Sequence, residues 1–138
     1  MAGPYYVDPA ASGNNNGSDW TNAWTSLQSA LDTVAAGEIC YCRGTQTLSA
    51  VLDVDQGNSG TPAGGHVKFI GCNSGGTADG TQFVIDCNST AASALLVAVS
   101  ADLWWFENVT FKNATSYGDE FAFLRLPLAE EEPKSLVM

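Results

Sequence analysis

The stretch Trp104-Trp105-Phe106-Glu107-Asn108-Val109-Thr110-Phe111-Lys112-Asn113 decides how the rest of the chain is read. Trp104 and Phe106 are two apart, so an extended backbone puts them on one face. Val109 and Phe111 alternate in the same way, but one residue out of phase. In a flat sheet that slip would carry the apolar set to the opposite face. A chain that turns at Glu107-Asn108 instead keeps both pairs inside, and it leaves Trp105 pointing outward. A similar grammar, an apolar pair and then a polar bend, occurs at Val67-x-Phe69-x-Gly71 and at Phe83-x-Ile85-Asp86-Cys87-Asn88.

Working outward, period-two runs are predicted as strands at Tyr5 to Val7, Ile39 to Cys42, Leu48 to Val54, His66 to Ile70, Gln82 to Ile85, Leu95 to Val99 and Leu103 to Phe111. Each is bounded by Gly, Asn, Asp or Ser. One helix is predicted over 26–36. There Leu27, Ala30, Leu31, Val34 and Ala35 form an apolar stripe, Thr25 and Gln28 have capping-box spacing, and Gly37 is placed as the stop. Trp20 and Trp24 flank its start and are expected to staple it to the first strand. Regular short strands suit a sandwich, a barrel or a solenoid. The phase slip favours the solenoid, as does a helix positioned to cover its open end.

The chain has 138 residues, room for one domain, and is 45% hydrophobic, enough for a packed core. Fifteen acids against five bases give a net charge of −10. With only Arg43, Lys68, Lys112, Arg125 and Lys134 as bases, the chain lacks the positive face that nucleic-acid binding requires. No apolar run approaches the roughly 20 residues of a membrane span, and no basic-then-apolar leader follows Met1. Cys40, Cys42, Cys72 and Cys87 lack zinc-ligand spacing and are read as buried thiols, with a Cys72–Cys87 disulfide as the alternative.

Tyr5-Tyr6-Val7-Asp8-Pro9, the Asn/Gly loop after it, Ala23-Trp24-Thr25-Ser26-Leu27-Gln28-Ser29-Ala30-Leu31 and Gly37-Glu38-Ile39-x-Tyr41-x-Arg43-Gly44 resemble the amino-terminal end of pectate-lyase-like right-handed parallel β-helix proteins. His66 to Gly71 and Trp104 to Asn113 look like later rungs. The resemblance implies an all-β fold: a short right-handed parallel β-helix of about three rungs with an N-terminal capping α-helix. Cap and rungs would occupy residues 1–118. Residues 119–138, with five acids including Glu130-Glu131-Glu132, would be an atypical, loosely ordered tail.

Enzymes of that superfamily, as the resemblance implies, use Asp-bound calcium with an Arg or Lys base, or paired carboxylates. Asp53 and Asp55 lie two apart and are the candidate metal ligands, although calcium wants six to eight oxygens and two carboxylates are too few alone. Asp86 and Glu107 occupy matching bend positions and would stack, a placement read as structural. His66 has no nucleophile arranged with it, so no catalytic residue is assigned.

Trp105, outward-facing and next to Asn108, is the candidate carbohydrate platform: an indole offers a sugar both an apolar face and an N–H. Covering by the tail or by a neighbouring subunit is the competing reading. Trp20, Trp24, Thr25, Leu27, Gln28 and Leu31 are read as the structural cap. The expectation is therefore a non-catalytic structural or adhesive module of a phage virion or cell-surface protein, located in the virion or outside the cell. Its open end would be covered by self-association or by a larger assembly. A truncated polysaccharide lyase or glycoside hydrolase is the alternative.

Overall fold

A computed structural model describes residues 4–48, 52–53, 60–86, 96–97, 104–113, 124–125 and 136–137. The strands are β1 (Tyr5–Val7), β2 (Ile39–Arg43), β3 (Thr45–Thr47), β4 (Leu52–Asp53), β5 (Val67–Cys72), β6 (Phe83–Asp86), β7 (Leu96–Val97), β8 (Trp104–Glu107), β9 (Val109–Lys112), β10 (Leu124–Arg125) and β11 (Leu136–Val137). One helix, α1 (Leu27–Thr33), lies between β1 and β2. The strands form a five-stranded sheet, β1-β2-β5-β8-β11, and two three-stranded sheets, β10-β7-β4 and β3-β6-β9. All of these ladders are parallel.

This arrangement corrects the expectation of a right-handed parallel β-helix of about three rungs. The described residues make parallel strands in small, separate sheets beside one short helix, and no closed solenoid is indicated. The physical reason lies in the shortest runs. Within the runs Leu48 to Val54 and Leu95 to Val99, the described strands are the two-residue β4 and β7, paired at two positions. Such ladders carry too few hydrogen bonds to make a wall comparable to the five-stranded sheet. The proposed boundary at residue 118 lies outside the described residues. Beyond it, β10 and β11 pair with β7 and β8, in a segment where the sequence offered no strand signal.

The core follows the alternation. Val67 and Phe69 of β5, Cys40 and Cys42 of β2, Phe83 and Ile85 of β6 and Phe106 of β8 are buried, together with Val7 and the stripe Leu27, Ala30, Leu31 and Val34. Register stacks Cys40, Phe69 and Phe106 in one inward row, and the two phenyl rings lie 5.3 Å apart at 16°. The bend read at Glu107-Asn108 is a single left-handed residue: Asn108 has φ 58° between β8 and β9. Gly44, with φ 91°, makes the equivalent corner between β2 and β3. The Asn108 carbonyl accepts the Phe83 N–H at 2.9 Å and sits where a Cβ on Gly71 would have to be. A side chain there would push β5 away from the Asn108 corner and Phe83.

The helix is shorter than its stripe. It runs Leu27–Thr33 rather than 26–36, and Val34 is already extended. Its N-cap is Ser26, whose Oγ accepts the Gln28 N–H at 3.2 Å. The expected capping box therefore does not form. Thr25 donates to Asn15 Oδ1, and the Gln28 side chain donates to Asp32 Oδ1. The exposed edge of β1 is closed by the loop that follows it rather than by α1. Tyr6 N–H donates to the Gly17 carbonyl, Trp24 N–H to Tyr6 O, and Asp8 N–H to Trp24 O, at 2.9–3.1 Å.

Candidate functional site

Two places concentrate functional side chains among the described residues. The first is the outer face of the five-stranded sheet. Residues that alternate with the buried ones face outward in register: Tyr6, Tyr41, Ile70 and Glu107 in one row, and Ile39, Lys68 and Trp105 in the next. Apart from the exposed Glu107, all of these are partly exposed. Trp105 has His66 edge-on at 5.5 Å and the Lys68 ammonium over its ring at 5.2 Å. Its indole N–H donates to Glu107 Oε1 at 3.1 Å. The indole is thus held in place, with a cationic donor and an anionic acceptor beside it.

At the other end of the same face, Tyr6 stands 6.0 Å from Tyr41 and packs edge-on with Trp20 at 4.8 Å. The Arg43 guanidinium lies 4.3 Å above the Trp20 ring. Trp24, by contrast, is 8% exposed, joins the core and stacks on Tyr5 at 5.1 Å. The two tryptophans read together as one staple therefore part company. Trp24 holds the loop to β1, and Trp20 stands on the outer face. Leu27 and Leu31 are buried under the helix as read.

The second place is an open cleft of about 470 Å³ lined by Asp8, Arg43, Thr45, Cys72, Ser74 and Thr81, among others. Arg43 Nε meets Asp8 Oδ2 at 2.7 Å, and its Nη1 donates to the Ser74 carbonyl at 3.1 Å. Asp8 Oδ1 accepts the Ala10 N–H. Its charged groups are thus already engaged in joining β1, β2 and the loop after β5. Burial pushes the Cys72 thiol up to about 11, and burial likewise holds Cys40 well above the ordinary thiol value. Neither thiol has the thiolate character of a nucleophile. Cys40, Cys42 and Cys72 are free and buried, and Cys87 lies outside the described residues.

The remaining sequence candidates fall as follows. Asn108 is the corner described above, and the indole of Trp105 reaches Glu107 instead of it. Asp53 ends β4, opposite Val97, and Asp55 lies outside the described residues. Among the described residues, no group of three or more His, Cys, Asp and Glu side chains is placed to hold a metal ion. Asp86 and Glu107 do not stack. Glu107 is aligned with Ile70 in the five-stranded sheet, whereas Asp86 is aligned with Thr47 and Lys112 in another sheet. The phase slip that made their positions look equivalent is the corner that puts them on different walls. Asp86 is instead bonded by Asn113 Nδ2 at 2.8 Å and faces the Lys112 ammonium at 3.8 Å.

In the sequence His66 is weighed only as a catalytic or metal-binding group, and Lys68 and Tyr41 are not singled out as site residues. Alternation around Val67 and Phe69 would have turned Lys68 outward, but only the β5–β8 register shows that it meets Trp105. Comparison of the chain with protein-family models, with curated proteins and with solved structures returns no match.

Proposed function

We propose that this protein is a non-catalytic structural or adhesive module that contacts carbohydrate through Trp105, as part of a virion or cell-surface assembly. One observation carries the reading: a partly exposed indole is fixed on a sheet face by Glu107, with the Lys68 ammonium and the His66 ring around it. A pyranose presents apolar C–H groups on one face and hydroxyls at its rim. An aromatic plane with an acceptor at its edge and a cationic donor over part of the ring offers groups for both features. A rigid sheet holds such a platform without the ordering cost that a loop would add on binding.

The test is a glycan array probed with the wild-type protein and Trp105→Ala, followed by titration of the intrinsic fluorescence with each hit. Binding that falls about tenfold or more in Trp105→Ala, with unchanged circular dichroism, supports the reading; a loss of that size corresponds to about 1.4 kcal/mol. Equal binding by the variant overturns the assignment of Trp105. Calcium-dependent release of unsaturated products from polygalacturonate overturns the non-catalytic reading.

A further inference from the structure

The outer face carries a second aromatic station in line with the first. Tyr41 and Glu107 share one transverse row, two strands apart, and Trp105 lies two residues back from Glu107 along β8. Strand spacing and rise put the Tyr41 and Trp105 backbone positions about 12 Å apart, more than one sugar ring spans. Between them lie Ile70 and Lys68, partly exposed and directed outward by the same alternation. Tyr41 is backed by Tyr6, which is itself held by Trp20. Its ring is therefore braced from one side.

We propose that this face binds an extended, uncharged glycan chain lying across the strands, with one unit on Trp105 and another on Tyr41. The inference rests on the reading of Trp105 given above and specifies the ligand of that site. Charge selects the occupant. Lys68 and Glu107 place one cation and one anion on the strip, which offers hydroxyl groups both a donor and an acceptor and gives a polyanion no net attraction. A second copy of this chain, carrying −10, would meet like charge on approach. Two anchored units on one chain bind as a linked pair, so affinity should rise with length until the chain reaches both rings.

The experiment uses cello-, xylo-, chito- and galacturono-oligosaccharides of one to six units, measured by calorimetry against wild type, Tyr41→Ala, Tyr41→Phe and Trp105→Ala. The expected result has three parts. In at least one neutral series, affinity rises about tenfold or more between one and four units and then levels. Tyr41→Ala removes that gain with length. Tyr41→Phe, which keeps the ring, keeps the gain and shows that the sheet tolerates change at this position. Affinity independent of length, yet lost in Trp105→Ala, overturns the extended platform and leaves the Trp105 reading standing. Tighter binding of the galacturonide series overturns the choice of an uncharged chain. Absence of binding in every series overturns the reading and the inference together.

Discussion

At the scale of single residues, Asn108, a candidate for sugar contact in the sequence, turns out to shape the backbone, and other polar side chains do the same. Asn15, Asn108 and Asn113 are the described non-glycine residues at positive φ, with values of 58–60°. Asparagine tolerates this region because its short side chain can bond locally, where a β-branched residue would be strained. Asp79 acts in the same way in the loop after β5. Its Oδ1 accepts the Thr81 N–H at 3.0 Å, and its Oδ2 accepts Asn73 Nδ2 at 2.9 Å. Hydrogen bonds from Thr81 first, then from Asn73, pull its carboxyl from 3.8 down to about 2. A depressed folded value means that the ionised form favours the folded loop. That contribution is complete above the unfolded value of 3.8 and is lost as pH falls toward about 2. NMR titration should therefore show the Thr81 amide keeping its native shift at pH 4 and losing it toward pH 2. In Asp79→Asn, which cannot ionise, that acid step should disappear. A Thr81 shift that titrates near the ordinary carboxylate value would refute the assignment.

At the scale of elements, the helix shows how much the sequence reveals and where it stops. The apolar stripe located α1 correctly because burial of Leu27, Ala30 and Leu31 depends only on spacing. Its ends were misread because they depend on partners remote in sequence. The Leu27 N–H donates to the side chain of Gln46 in β3 at 2.8 Å, a bond spanning nineteen residues that no local capping pattern contains. At the other end, Ala35 N–H is taken by Glu38 Oε1, and Gly37 turns with φ 81° against the His66 carbonyl. The chain is thereby pulled out of the helix at Val34. Gln46→Ala should thus destabilise the protein by about 1 kcal/mol, the usual cost of an orphaned N-terminal amide. Gln28→Ala, which removes the exposed i,i+4 contact to Asp32, should cost about 0.2–0.5 kcal/mol for that contact. Urea denaturation with an unchanged m value would check both, and the reverse order of effects would restore the capping box.

At the scale of the whole molecule, strand positions were legible and their assembly was not. Alternation places Phe69, Phe83 and Phe106 inside wherever the strands go, so it says little about how many walls they build. The pairing of β4 with β7 shows the gap, since it joins residues remote in sequence, and alternation alone does not specify such a partner. Charge is the other global property, and it acts independently of the topology. Among the described residues Arg43 pairs with Asp8 and Lys112 with Asp86, against a net charge of −10 over the full chain. At about 10 mM salt the screening length is roughly 30 Å, comparable to a domain, so the excess acids repel one another throughout the fold. At about 0.5 M the length falls below roughly 8 Å, and that repulsion is largely gone. The Arg43–Asp8 pair, with Asp8 only 10% exposed in its side chain, is screened much less. Raising NaCl across this range should therefore increase Tm, by about 2–5 °C if repulsion is worth about 1 kcal/mol. Calorimetric scans at fixed pH 7 measure this directly. A Tm that falls with salt would mean that attractive pairs outweigh the acidic excess. Repeating the scans near pH 4, where part of that excess is neutralised, should shrink the salt effect, because the protonated carboxyls no longer repel.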